Sequence, residues 1–557
     1  MNMVIIFRSL LACAVLCQTI NAVENIKTDI CIYGGTAAGV AAAVQAARMG
    51  KTAVIIEPGR HLGGMTSGGL GQTDIGNKGA IGGIAREFYH RVAQHYSDTN
   101  AWKFGTAADF FRGKRSWEAA VSSLAGADAT MWLFEPHVAE DILNRMVKEA
   151  NVRVLYGQPL AAVKKSGARI AEITTAGKTI RAGMFIDTTY EGDLMAKAGV
   201  SYTVGREANA QYNETLNGIR TNTPKHQFTV AVDPYVKPGD ATSGLLPFIQ
   251  PGRGEDSGAG DRSVQAYNFR LCYTKNPANR LPHLKPENYD PARYELLARY
   301  LEALVAAGRK PVLREFWKLD LMPNQKTDIN NQGGFSTDFI GANYDYPDAD
   351  YATRARIWKA HEEYIRGYLY FMATSPRVPD NIRQEMQEWG PAKDEFPDTG
   401  GWPHQLYVRE ARRMISDYVM TEHNCRGVAQ AEQPVGLAAY TMDSHNCRRL
   451  AKNGRAENEG DVQIGGFSPY PIAYRAIVPK AGECENLFVP VCLSATHIAY
   501  GSIRMEPVFM LLGQSAATAA AFAMEAGVPV QEISYEKLQA RLLADQQILV
   551  WKPPVKQ

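Results

Sequence analysis

Apolar and polar positions alternate between two periods along this chain. Asp29-Ile-Cys-Ile-Tyr33 is a short β-favouring run, Val40 to Met49 is a small-residue segment that reads as a helix closed by Gly50, and Thr52 to Ile56 is a second β-favouring run. Further on, Pro136 to Ala150 predicts a helix and Val152 to Tyr156 a strand, followed by hairpins at Lys165-Ser-Gly167 and Ala176-Gly-Lys178. Met184 to Asp187 predicts a strand leading through Thr188-Thr-Tyr-Glu-Gly192-Asp193 into another helix. Arg293 to Ala307 and Ala352 to Thr374 read as amphipathic helices. Near the end, Leu487 to Cys492 reads as a strand, and Pro507 to Ala526 as a long helix with proline in its first turn and Gly527 at its close.

Between the first strand and helix stands Gly34-Gly35-Thr36-Ala37-Ala38-Gly39, and Glu57 follows the second strand, eighteen residues past Gly39. Strand, glycine turn, helix, strand and acid form the βαβ unit that holds a dinucleotide. Gly34 permits the turn, the backbone at Gly35 and Thr36 can approach a pyrophosphate, Gly39 lets helix and strand pack closely, and Glu57 is placed for a ribose hydroxyl. Thr36 stands where the middle glycine of GxGxxG is expected, so the phosphate approach has to tolerate a side chain.

Directly after the acid comes Leu62-Gly63-Gly64-Met65-Thr66-Ser67-Gly68-Gly69-Leu70-Gly71. With the first motif, this glycine-rich stretch resembles the FAD-dependent oxidoreductases of two-dinucleotide-binding-domain architecture. The resemblance implies FAD as cofactor, with Gly63, Gly64 and Met65 forming a backbone wall beside it. It implies that Thr188, Gly192 and Asp193 close over FAD, although Thr189 and Tyr190 replace the glycine usual after the threonine. It also implies that Ser494 to Glu506 is a returning segment bringing a helix N-terminus toward the flavin, where Arg504 and Glu506 would lie and Arg504 would stabilise the reduced state. Gly513, Gln514 and Ser515 would then run along the cofactor, or simply belong to a buried core helix. The fold class expected is α/β: a Rossmann-type FAD-binding domain with a parallel sheet and antiparallel insertion, plus an inserted α+β substrate cap. The expected division is 23–205 and 401–530 for the FAD-binding parts, 206–400 for the cap and 531–557 for a tail.

The middle is richer in Pro, Asn, Tyr and Asp, as expected of a substrate-facing cap. Its loop Gly341 to Asp350 could stack on a sugar or hold calcium through Asp345, Asp348 and Asp350, but the spacing fits no calcium loop and favours a solvated one. Tyr407-Val-Arg409-Glu410-Ala-Arg412-Arg413 resembles a recurrent stretch of the family, its charges free to reach substrate or flavin or to form interdomain ion pairs. Among eleven histidines, His497 and His445 are the candidate acid or base, with Arg504 holding an oxygen and Arg475 a weaker anchor. His61 could tether the flavin. No zinc pattern or Gly-x-Ser-x-Gly elbow occurs, so no metal and no hydrolytic chemistry are expected.

A formal charge of +2, with no basic block, gives no nucleic-acid footprint. Residues 1–22 carry one early charge, Arg8, within the apolar run Val4 to Ile20, followed by a cleavable Ile20-Asn21-Ala22, and read as an export signal rather than a membrane anchor, with a faint lipid-attachment alternative at Cys13. Export places the protein in the periplasm or outside the cell. No stable membrane span is expected, and soluble NAD(P)H becomes a poor partner. Cys425 and Cys447 could pair in that compartment; Cys31 reads as inert core. The function expected is hydride transfer between FAD and a small polar substrate, carbohydrates among the candidates, with an unidentified electron acceptor. Two rivals are a redox-neutral lyase acting on glycosides and a carbohydrate-binding module with a vestigial nucleotide fold.

Overall fold

The computed structural model describes residues 24–112, 129–221, 223–252 and 257–553; the segment read as an export signal lies outside them. Strand β1 (Glu24–Tyr33) is central in its sheet. Its outer half alternates between partly buried and exposed residues, whereas Ile30 to Tyr33 is buried on both faces, as a parallel strand covered on two sides must be. Helix α1 (Ala37–Arg48) and strand β2 (Ala53–Ile56) follow, and β2 pairs parallel to β1 with Cys31 opposite Val54. Strand β3 (Arg153–Leu155) extends the parallel part beyond β2.

On the other side of β1 lies β6 (Lys178–Asp187), reached through the antiparallel strands β4 (Leu160–Ser166) and β5 (Arg169–Thr175). The order is β3-β2-β1-β6-β5-β4, with Leu487–Phe488 also paired parallel to β6. The sheet is thus parallel where helices cover it and antiparallel where the hairpins stand. The expected strand Met184 to Asp187 is the buried end of the ten-residue β6, and the expected strand Leu487 to Cys492 is only two residues long.

The small residues of α1 have a packing purpose. Ala37 to Ala46 are all buried, and the long helix Glu506–Ala526 approaches so closely that a Cβ on Gly513 would strike the carbonyl of Ala38. That long helix is apolar and long enough to cross a membrane, but 89% of its most apolar window is buried within the protein. It is a core helix.

The middle of the chain builds a four-stranded antiparallel sheet from Leu271–Thr274, Trp317–Met322, Lys326–Asn331 and Gly390–Pro391, flanked by helices Glu295–Ala306, Tyr351–Thr374 and Asp380–Glu388. The hydrophobic core is continuous from Ile30 and Ala38 through Phe134 to Phe269 and Tyr364, so both sheets share it. Among the described residues six cysteines are present, all buried and free, which overturns the expected Cys425–Cys447 pairing. The loop at Gly341 to Asp350 is solvated at its acids and anchored between them: Asp345, Asp348 and Asp350 are exposed, whereas Tyr346 is buried and donates to Glu191 at 3.0 Å, Asp348 bonds Arg412 and Arg262, and Asp350 caps a helix. Asp348 and Asp350 are thus engaged by the protein itself, and among the described residues the three aspartates do not gather into a group that could hold a metal ion.

Candidate functional site

The glycine turn sits where β1 meets α1. Gly34 has φ +107, and a Cβ on Gly39 would collide with the Gly34 carbonyl oxygen, so helix and turn touch backbone to backbone. A Cβ on Gly35 would lie 2.6 Å from Leu62 Cδ2 and 2.9 Å from Glu57 Oε2. Glu57 accepts from the Gly35 and Gly59 amides, both at 2.5 Å, and burial pushes its carboxyl up to about 7 against those bonds. Gly63 donates to the Gly35 carbonyl at 2.7 Å, which lays the second glycine loop against the first.

Thr36 does not block this turn. Its hydroxyl donates to the Thr188 carbonyl at 2.8 Å and accepts from the Gly39 amide at 3.3 Å, so the side chain caps α1 and points inward. Thr188 in turn donates to the Gly34 carbonyl at 2.6 Å. The Thr189-Tyr190 departure is also used: Thr189 bonds Asp187, and Tyr190 accepts from the Met65 amide at 2.8 Å and donates to Glu506 at 2.7 Å. Thr66 donates to the other Glu506 oxygen at 2.7 Å. Glu506, at the first turn of the long helix, is thereby fastened to the glycine loop, and burial holds its carboxyl at about 7.

Beside this junction lies a buried polar cluster assembled from six separate stretches of the chain. The imidazole Nδ1 of His445 lies 2.7 Å from Asp338 Oδ2, and its Nε2 lies 3.7 Å from Asp443 Oδ2. Burial and the Arg409 charge pull the His445 pKa down, but Asp338 and Asp443 outweigh them and hold it above the usual histidine range. His226 stacks near His445, their ring centroids 6.5 Å apart, and burial drives His226 down to about 4. Arg504 donates to Tyr407 Oη at 2.9 Å and to Asp443 at 3.1 Å; Arg409 pairs with Asp338 at 3.1 Å and lies over the Tyr407 ring. Arg270 grips Asp328 through two bonds of 2.8 and 2.6 Å.

A model of the family described as FAD dependent oxidoreductase matches residues 29–542. The chain belongs to that family. FAD is its cofactor, and the residues present fit it: Gly34, Gly35 and Gly39 have no room for a Cβ, the Ala37 and Ala38 amides at the start of α1 lack helical acceptors by construction, and the acid Glu57 accepts from the Gly35 amide of the turn. No curated protein matches. Solved structures with a local likeness include OxyS anhydrotetracycline hydroxylase from Streptomyces rimosus, 13% identical over 38% of this chain and 38% of its own, with a TM-score of 0.21. L-amino acid deaminase from Proteus myxofaciens in complex with anthranilate is 14% identical over 34% of this chain and 52% of its own, at 0.22. This oxidoreductase thus spans about half or less of the length of either structure.

Several expected site residues are occupied elsewhere. His497 heads the helix His497–Ile503, which sequence reasoning took for a loop; its Nδ1 lies 2.7 Å from Glu410 and its Nε2 3.0 Å from Ser444. Neither nitrogen is left for a substrate. Asp193 bonds Arg354 and Arg412, with Gly192 in the left-handed conformation before its helix, so both shape the joint to the middle domain. Gln514 accepts from the Ile84 amide and Ser515 donates to the Val435 carbonyl, so with Gly513 they serve helix packing. Arg475 is exposed. His61 is stacked on His404 and has both nitrogens on carboxylates, Glu140 at 3.0 Å and Asp398 at 3.1 Å, which leaves none for a flavin bond. Asp338, Tyr407 and Tyr190 were missed as site residues. Tyr407 carried a signal in its place in the charged 407–413 stretch, and Tyr190 in replacing an expected glycine; Asp338 carried none.

Proposed function

We propose that this oxidoreductase removes a hydride from a small polar substrate at the cluster around His445, Tyr407 and Arg504. FAD, when bound, supplies the two-electron acceptor. Gly34, Gly35, Thr36, Ala37, Ala38 and Gly39 would face its pyrophosphate, Glu57 its ribose, and Gly63, Gly64 and Met65 the ribityl chain.

The single observation that carries the chemistry is the setting of His445. With Nδ1–H donated to Asp338, the free lone pair sits on Nε2, which makes no hydrogen bond shorter than its 3.7 Å approach to Asp443. Nε2 takes the proton of a substrate hydroxyl or amine, and Asp338 steadies the resulting imidazolium. Arg504, anchored by Tyr407 and Asp443, orients a substrate oxygen. The same reading takes residues 1–22 as an export signal, supported by the early charge Arg8 within the apolar run Val4 to Ile20 and a cleavable Ile20-Asn21-Ala22.

The test is an absorbance spectrum of the purified protein over about 300–600 nm, followed by anaerobic titration with sugars and hydroxy acids. Bleaching by one class, lost in His445→Gln with the flavin retained, supports the assignment. Unchanged bleaching in that variant removes His445 from the chemistry.

A further inference from the structure

Three buried guanidinium groups in the cluster have N–H donors that the protein leaves unused. Arg270 Nη1, Arg409 Nε and Arg504 Nε are buried without a hydrogen-bond partner. All three arginines are almost fully buried. Two of them pack on one ring, the Arg409 guanidinium carbon lying 4.6 Å from the Tyr407 ring centroid and that of Arg504 5.7 Å, while Arg270 stands two residues after Asn268, whose carbonyl accepts from the Tyr407 amide at 2.8 Å. An unfilled buried N–H costs about 1–3 kcal/mol, more when the group is charged. A fold that leaves three of them around one tyrosine is matched to a ligand that accepts hydrogen bonds.

Charge narrows the ligand further. Arg270, Arg409 and Arg504 are already paired with Asp328, Asp338 and Asp443, and Asp74 lies 3.8 Å from Arg270, so the cluster has little room for further negative charge. A dianionic phosphate would unbalance this set more than a single carboxylate, while guanidinium N–H groups bond a carboxylate about twice as strongly as a neutral oxygen. Asn268 Oδ1 is a buried acceptor without a partner and is bonded through its amide to Asn330 and Thr337, so a hydroxyl on the ligand has a place as well.

We infer that the substrate is a small hydroxy acid whose carboxylate is received by Arg270, Arg409 and Arg504 around Tyr407. The inference rests on the proposed redox reading of this cluster and names its substrate class. Position supports it, because Arg504 stands two residues before the helix that begins at Glu506, and a Cβ on Gly69 of the glycine loop would strike the Arg270 carbonyl. The carboxylate site therefore adjoins both segments that carry the expected flavin contacts.

The test uses matched pairs on the protein as purified: lactate against propane-1,2-diol, and gluconate against sorbitol. Calorimetry reads binding, and the visible spectrum reads whether a bound flavin is perturbed. The expected result is at least tenfold tighter binding of the acid in one pair, lost in Arg504→Lys, which keeps the charge but not the planar fork. Equal binding of acid and neutral partner, or tighter binding of the neutral one, overturns the inference, as does no binding of either acid. Because calorimetry does not need the chromophore, acid-selective heat from a protein without flavin absorbance would uphold the carboxylate site and sink the redox reading, whereas a flavin protein indifferent to charge would do the reverse.

Discussion

Asp338 Oδ2 and His445 Nδ1 meet at 2.7 Å, inside a cluster where both residues are buried. The pair resembles the acid that orients an imidazole in other proton-transfer sites. Removing the charge of Asp338 takes away the largest influence that holds the His445 pKa above its usual range, against burial and Arg409. As a base, His445 works when deprotonated, so activity rises with pH through its pKa. In Asp338→Asn that rise moves to lower pH, and the plateau of kcat/KM falls by about 10²–10⁴-fold. A pH–rate profile checks both effects; an unmoved limb with a lowered plateau would mean that Asp338 only packs.

Gly35 is the point at which a single methyl group tests the cradle. Its added Cβ would press on Leu62 and on the Glu57 carboxylate, displacing the acid that faces the ribose. Gly35→Ala should lose most of its flavin on desalting while its far-ultraviolet circular dichroism stays unchanged. Gly39→Ala, which drives a Cβ into the Gly34 carbonyl, should be destabilised as well, by about 1–3 kcal/mol. Full flavin retention in Gly35→Ala would place the cofactor elsewhere.

Thr36 explains how the glycine pattern is broken without harm. Its hydroxyl supplies the N-cap of α1 and a bond to Thr188, two contacts that glycine cannot make. Thr36→Val keeps the shape and removes both bonds, at an expected loss of about 0.5–2 kcal/mol. Thr36→Gly loses the same bonds, and because the threonine side chain already points away from the phosphate face, flavin affinity should be kept. Urea unfolding and flavin titration on the two variants separate capping from access.

The nucleotide half of the site was legible because its signals are local. Strand, glycine turn, helix and acid lie within Asp29 to Glu57, and each has a fixed spacing imposed by backbone geometry. The cluster was not, since its contacts join residues 107 apart at Asp338 and His445 and 97 apart at Tyr407 and Arg504. No periodicity records such pairings. His497 shows the same limit: it sits in the right segment, but Glu410 and Ser444, which occupy its two nitrogens, are distant in sequence. The helix it heads spans only seven residues and contains Gly501 and Ser502, weak helix formers, so Thr496 as its cap was the one cue.

Glu506 offers a test of the junction between the glycine loop and the long helix. Burial raises its carboxyl from 4.5 to about 7, although the Thr66 and Tyr190 hydroxyls that it accepts pull the other way. Below pH 4.5 the folded and unfolded chains both hold the proton, and this group adds no pH dependence. As pH rises toward 7 the unfolded chain releases it while the folded chain keeps it, so stability falls across that window and levels off above it. Glu506→Gln removes the ionisation and keeps the shape. Relative to the wild type, it should therefore gain stability between pH 4.5 and 8, by up to roughly 3 kcal/mol at one pKa unit per 1.36 kcal/mol. Urea unfolding at pH 5 and pH 8 reads the difference. An equal gap at both pH values would show that the carboxyl is already ionised in the folded protein, and that Tyr190 and Thr66 stabilise its charge rather than share its proton.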